Sequence, residues 1–229
     1  MKSFRMMMIL IALSSTQVLA EPPMTVDDAG TLGQGGMKLE GAVGRDHKLR
    51  AADLVFGFAP IENLEVGLAL TRGSDSEPDP ASRLRAAGLG IKWVPLQNEV
   101  GLSLGLSLAY GRERIDDRAA DERFSAREHL ASGLATYRFA SGQVVHANLG
   151  GKRVESAGES ATLATWGLGF EQPLSATLKL TAEVFGEEGA GPDKALGLRY
   201  TVFEGLKLSA ALGRGNGRNF GQLGFSWEF

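Results

Sequence analysis

The chain has 229 residues and a formal charge of −3; 43% of it is hydrophobic, and it holds 31 glycines and no cysteine. Without cysteine there is no disulfide framework, thiolate metal site, thiol nucleophile or lipid-modified cysteine, and the apolar content is too high for a disordered chain. Glycine stands at nearly twice its usual share of about 7% with neither a collagen period nor a linker composition, so it must serve strands, turns or close backbone approach.

Residues 1–20 read as a cleaved signal peptide. Lys2 and Arg5 precede the apolar stretch Met6 to Leu13, and Val18-Leu19-Ala20 ends in a small residue suited to cleavage. The stretch is too short for a spanning helix, which needs about 20 residues. Loss of the two basic residues leaves −5, so nucleic acid is not an expected partner: no basic surplus exists to displace counterions from phosphates. Residues 21–36 read as a polar, glycine-rich lead on the periplasmic side, and 37–229 as the folded unit.

From Met37 onward, apolar residues recur at every second position in runs of about ten, which is the strand period. The runs are Met37/Leu39/Val43, Leu54/Phe56/Phe58, Leu64/Val66/Leu68/Leu70, Leu89/Ile91/Trp93 and Val100 to Tyr110, and then, beyond residue 144, Val145/Ala147/Leu149, Ala164/Trp166/Leu168/Phe170, Leu178/Leu180/Ala182/Val184, Leu196/Leu198/Tyr200/Val202, Leu206/Leu208/Ala210/Leu212 and Leu223/Phe225/Trp227/Phe229. Spacing demands one more strand over Glu128 to Phe139, where no clean parity exists. Short connectors containing Pro, Asn or Gly alternate with longer, charged ones: Arg45 to Leu49, Arg72 to Arg83, Gly111 to Arg127, Arg153 to Ser160, Glu187 to Asp193 and Arg214 to Asn219. That alternation predicts an all-β fold, a twelve-stranded antiparallel up-and-down transmembrane β-barrel with periplasmic turns and outer loops. A secreted β-sandwich would alternate in the same way. Leucine and valine on one parity, aromatics near run ends and small residues on the other parity favour the barrel.

The polar parity then faces a lumen. It holds Lys38, Lys92, Lys152, Lys179, Arg199 and Lys207 against Glu40, Asp53, Glu65, Glu99, Glu171, Glu183, Glu187 and Glu228, a near balance that argues against a strong ion filter. His146 and Asn148 share that face. A small solute is the expected cargo.

Motifs with catalytic overtones lose to plainer readings. Gly101-Leu102-Ser103-Leu104-Gly105 fits the nucleophile-elbow pattern, but that pattern needs a sharp strand-to-helix turn and the alternation here is unbroken. His146 and Asn148 resemble the pair of outer-membrane phospholipases, yet no serine lies two residues from the histidine. Asp75, Glu77 and Asp79 lack a full calcium set, and His47 and His129 are isolated. No catalytic residue, metal or cofactor is expected.

Leu223, Phe225, Trp227 and Phe229 resemble the C-terminal assembly signal of Gram-negative outer-membrane barrels, with Gly221 standing where an aromatic is common. The resemblance implies barrel assembly machinery as a partner. Asp27-Asp28-Ala29-Gly30-Thr31 with Gly35 and Glu40, Leu64-Glu65-Val66-Gly67-Leu68, and Glu183-Val184-Phe185-Gly186 resemble the outer-membrane transporter family named for the meta-pathway of phenol degradation. That resemblance implies passage of small, often aromatic, compounds. Expected functions are an outer-membrane pore or passive transporter, a closed structural or adhesive barrel, and, ranked lower, a lipid-modifying enzyme. Finally, 13 of the 16 arginines fall at outer strand ends or in the longer connectors. Arg72, Arg85 and Arg112 continue the apolar parity and are expected to face lipopolysaccharide in the outer-membrane lipid.

Overall fold

The computed structural model describes residues 20–229; the signal peptide expected over 1–20 lies, but for Ala20, outside them. Twelve strands follow one another: β1 (Met37–Asp46), β2 (Leu49–Ile61), β3 (Leu64–Asp75), β4 (Ser82–Leu96), β5 (Gly101–Asp117), β6 (Glu122–Arg138), β7 (Val144–Ser156), β8 (Glu159–Pro173), β9 (Leu178–Glu187), β10 (Asp193–Phe203), β11 (Leu206–Gly215) and β12 (Arg218–Glu228). Each pairs antiparallel with its sequence neighbour, and β12 closes on β1 from Lys38↔Glu228 to Asp46↔Phe220. Phe229 extends the seam, exchanging both backbone hydrogen bonds with Met37 at 2.9 Å. Closure leaves no unpaired edge, the condition for crossing a bilayer with strands.

Alternation sends the leucine parity outward. Leu212, Leu149 and Leu196 are 77%, 72% and 62% exposed, a waste of apolar area in water and the requirement in lipid. The Met37/Phe229 end, expected from the sequence to be the periplasmic one, carries outward aromatics on its hairpins and seam: Phe58, Trp93, Tyr137, Phe170, Tyr200 and Trp227. At Gly221 a Cβ would lie 2.8 Å from Leu212 Cδ2 and 3.1 Å from the Ala211 carbonyl oxygen.

Two sequence expectations change. The long outer loops are not loops. Outer connections are residues 47–48, 76–81, 118–121, 157–158, 188–192 and 216–217, hardly longer than 62–63, 97–100, 139–143, 174–177 and 204–205 at the other end. Charged residues that keep the two-residue alternation stay in the ladder, and β5 and β6, 17 residues each, run well past the 9–11 residues a bilayer needs. The second change concerns the strand without parity. In β6 the outward positions are Ala131, Gly133 and Ala135, while Leu134 points inward, buried, against Val94 and Ala29. Its apolar partner is a segment inside the barrel.

Candidate functional site

That segment is the stretch expected as a periplasmic lead. Residues 21–32 lie within the lumen and 33–35 are exposed before β1 begins; the backbone N–H and C=O groups of the segment find partners on strand after strand. Arg199 of β10 donates to the carbonyls of Pro22 and Glu21, each at 3.1 Å, and Gln222 of β12 donates to Pro23. Thr25 and Val26 donate to one carboxylate oxygen of Glu183 on β9, at 2.8 and 2.9 Å. Asn148 of β7 binds Asp27 both ways, its oxygen accepting from the backbone N–H at 2.7 Å and its amide donating to the carbonyl at 2.8 Å. Ala29 donates to Thr136 of β6 at 2.7 Å, Thr31 to Gln97 at 3.0 Å, Leu32 to Glu65 of β3 at 3.3 Å and Gly35 to the Ala59 carbonyl of β2 at 2.8 Å. The segment thus sweeps around the lumen wall before entering β1.

Charge fixes it further. Lys92 Nζ lies 2.5 Å from Asp27 and 3.2 Å from Asp28, and Arg138 reaches Asp28 at 3.1 Å. Lys207 binds Glu21 at 2.9 Å, and Arg199 lies 3.5 Å from Glu21 and 2.6 Å from Glu171. Burial alone would raise the Glu21 and Asp28 carboxyls. The Arg199 and Lys207 charges hold Glu21 below its ordinary range, and Lys92, His146 and Arg138 do so for Asp28. For Asp27, burial and the neighbouring Asp28 charge prevail over Lys92 and raise the carboxyl.

Lumen glycines make the room. A Cβ on Gly167 would lie 2.8 Å from Val26, one on Gly169 2.6 Å from Met24, one on Gly197 2.9 Å from Pro23 and one on Gly224 2.8 Å from Pro22. Part of the glycine excess is therefore a cradle for the chain's own N-terminal segment.

The expected lumen residues Lys38, Glu40, Asp53, Glu65, Lys92, His146, Asn148, Lys179, Glu183, Arg199 and Lys207 all lie on the inward parity, and most are buried. Lys38 bridges Glu40 and Glu65 at 3.3 and 2.9 Å, and Lys179 binds Glu171 at 3.1 Å. Glu99 instead sits exposed in a periplasmic turn. The balance of charge also shifts, because the outer strand ends add Asp46, Asp75, Glu113, Asp117, Glu128 and Asp193 to the inner wall. Sequence reasoning placed all of these but Glu128, the first residue of an expected strand, in the longer connectors; their alternation with Arg45, Arg112, Arg114 and Arg127 was the available signal. The lumen is therefore polarised, with lysines and arginines in the periplasmic half engaged by the lead or by neighbouring carboxylates, and acids toward the outside.

Above the lead is a cavity of about 230 Å³. Pro23, Thr25, Val26 and Asp27 form its floor, and Asp46, Asp53, Glu183, Glu187 and Asp193 line it with Lys152, Arg218, Phe185 and Phe220. Lys152 pairs with Glu187. Arg218 is pinned between Asp46 at 3.0 Å and Asp193 at 2.8 Å and lies 5.3 Å over the Phe220 ring, whose centroid is 6.3 Å from that of Phe185.

The catalytic overtones resolve structurally. Ser103 sits on an unbroken strand, fully buried, accepting from Asn98 N–H at 2.9 Å and Arg138 at 3.1 Å. His146 Nδ1 does meet a hydroxyl, Thr136 Oγ1 at 3.0 Å, and its Nε2 lies 3.8 Å from Glu171. That hydroxyl is wholly buried and receives the Ala29 N–H, so the trio braces the lead.

A closed twelve-stranded barrel with an apolar outer belt and a polar lumen defines a transmembrane β-barrel of the outer-membrane class. The chain belongs to the family described as uncharacterised conserved protein UCP029691, whose pattern matches residues 8–221. No curated protein matches the sequence. Among solved structures, the KdgM porin in complex with disordered oligogalacturonate is similar with a TM-score of 0.61 at 9% identity, over 84% of this chain and 99% of that one. The NanC porin gives 0.56 at 6%, over 83% and 98%. The translocator domain of autotransporter NalP from Neisseria meningitidis gives 0.55 at 15%, over 88% and 91%. At such identities the likeness is one of fold.

Proposed function

We propose that this barrel is an outer-membrane passage for small solutes, closed on its periplasmic side by its own N-terminal segment. The carrying observation is the seating of residues 21–32: the lumen wall supplies its contacts through side chains, and backbone hydrogen bonds to β2 begin only at Gly35 and Gly36, so this stretch can leave without breaking a strand pair. An outward-facing cavity then becomes a through-path.

The lining sets the solute class. Carboxylates outnumber cations around the cavity, so the field favours cationic or neutral solutes over anionic ones. An acidic sugar chain such as the oligogalacturonate held by the KdgM porin would be repelled. The Phe185 and Phe220 rings offer an apolar ledge, which supports the small aromatic compounds implied by the resemblance to the phenol meta-pathway transporters. A permanently closed structural barrel is the second reading, favoured by the same dense contacts.

The absence of native cysteine makes a direct test possible. A Cβ on Gly167 would lie 3.7 Å from Val26 Cβ, the usual spacing across a disulfide. In planar bilayers, the Val26→Cys/Gly167→Cys variant should show conductance steps when reduced, lose them on oxidation and regain them with reductant. Silence in both states, from protein whose folding is verified, together with silence after the lead is destabilised as described below, would establish the structural reading instead.

A further inference from the structure

The outer face of the barrel differs chemically at its two ends, and the strand register shows how. At the periplasmic end the belt finishes in aromatic rings; at the other end it finishes in arginine. Arg72, Arg85 and Arg114 are direct partners across β3, β4 and β5, and Arg112 stands directly opposite Arg127 on β5 and β6. All five are exposed on the outward parity, one or two outward positions beyond Leu70, Leu89 and Tyr110. Neighbouring strands are about 4.8 Å apart, so five guanidinium groups share a patch only a few strands wide.

Like charges placed directly opposite one another destabilise a sheet. None of the five has an ion-pair partner among the described residues, whereas the outward acids nearby are engaged elsewhere, Asp116 with Arg123 and Glu155 with Arg153. Only Arg127 faces an outward carboxylate across the sheet, Glu155 of β7, which pairs with Arg153; Arg72, Arg85, Arg112 and Arg114 have no acidic strand partner. It lies at the level where an outer-leaflet headgroup meets the apolar belt, and planar forks on adjacent strands suit tetrahedral oxyanions bound bidentately.

The geometry points to a lipopolysaccharide-binding surface across β3 to β6, in which Arg72, Arg85, Arg112, Arg114 and Arg127 grip the phosphate groups of its lipid anchor. The surface is independent of whether the lumen conducts. Lipopolysaccharide phosphates are ordinarily bridged by divalent cations; here the guanidinium groups replace those cations, so binding persists in a chelator.

The test is lipopolysaccharide bound per folded barrel, measured by native mass spectrometry in excess EDTA. Wild-type protein should retain lipopolysaccharide, and Arg72→Gln/Arg85→Gln/Arg114→Gln should weaken binding at least tenfold. Arg72→Lys/Arg85→Lys/Arg114→Lys should be intermediate, since it keeps charge and loses the fork. Phosphate-stripped lipopolysaccharide should bind wild type no better than the native lipid binds the glutamine variant, and millimolar inorganic phosphate should not displace the lipid. Arg112→Gln/Arg127→Gln provides a second, smaller perturbation should the triple variant fold poorly. Unchanged binding in folded glutamine variants, equal binding of the stripped lipid, or ready displacement by inorganic phosphate would each overturn the assignment.

Discussion

Asp27 of the N-terminal segment and Lys92 of β4, 65 residues apart in sequence, form a buried ion pair inside the barrel, with Asp28 sharing the same ammonium group. Removing one member of a buried pair costs about 3–5 kcal/mol because the other is left uncompensated. Lys92→Met should accordingly shift the docked segment toward release by 100-fold or more. Limited proteolysis should then cleave between residues 21 and 36, and conductance should rise in bilayers. Adding Asp27→Asn to Lys92→Met should restore part of the docking, since the buried Asp27 carboxylate is then no longer stranded and Asp28 keeps its pairing with Arg138. A protected segment in the folded single variant would show that the ion pair does not hold it.

Acid should act on the same contacts. Asp27, raised by burial, takes a proton first, which favours the docked state because its value is raised there, and Asp28 and Glu21, held below their ordinary values of 3.8 and 4.5, follow at lower pH and loosen it. A group with a depressed value contributes stability that is complete above its ordinary value and lost as pH falls through the depressed one. Docking by Glu21 and Asp28 is therefore intact at neutral pH and weakens only below about pH 4. Conductance measured from pH 7 to pH 3 should stay low and then rise at the acid end; a rise centred near pH 6 would implicate other groups.

The acidic outer wall makes a selectivity prediction. Asp53 lines the cavity, and its only polar partner among the described residues is the Thr71 hydroxyl at 2.6 Å, so its charge faces the path unneutralised. Asp53→Lys should lower the cation-to-anion permeability ratio severalfold, read from reversal potentials in a salt gradient, with little change in step size. An unaltered ratio would place the selective region elsewhere.

The seam between the first and last strands gives the fourth expectation. Phe229 exchanges two hydrogen bonds with Met37, stacks at 5.0 Å on Trp227, and belongs to the outward row in which Phe225 covers Gly41. Deleting Phe229 should reduce the amount of heat-modifiable barrel recovered from membranes while export to the periplasm is unchanged. Normal barrel levels would remove the assembly role expected of Leu223, Phe225, Trp227 and Phe229.

Strand number, order of pairing and which parity meets lipid were legible in the sequence, because a two-residue period over about ten residues is a local property that each strand states for itself. Leu64 to Leu70 and Val100 to Tyr110 needed no partner to be read. What lay beyond reach was long-range: Leu134 faces inward because Ala29 is there, and Gly167 is small because Val26 passes over it. Neither partner is near in sequence, and a polar, glycine-rich stretch carries no period of its own, so Glu21 to Gly36 looked like a tether. The outer acids were misplaced for a related reason: charge density suggested loops at Gly111 to Arg127, whereas the ladder of β5 and β6 continued and sent Glu113 and Glu128 inward and Arg112 and Arg127 outward. Sequence alternation decided the barrel; only its closure, by bringing twelve inward faces around one segment, decided what fills it.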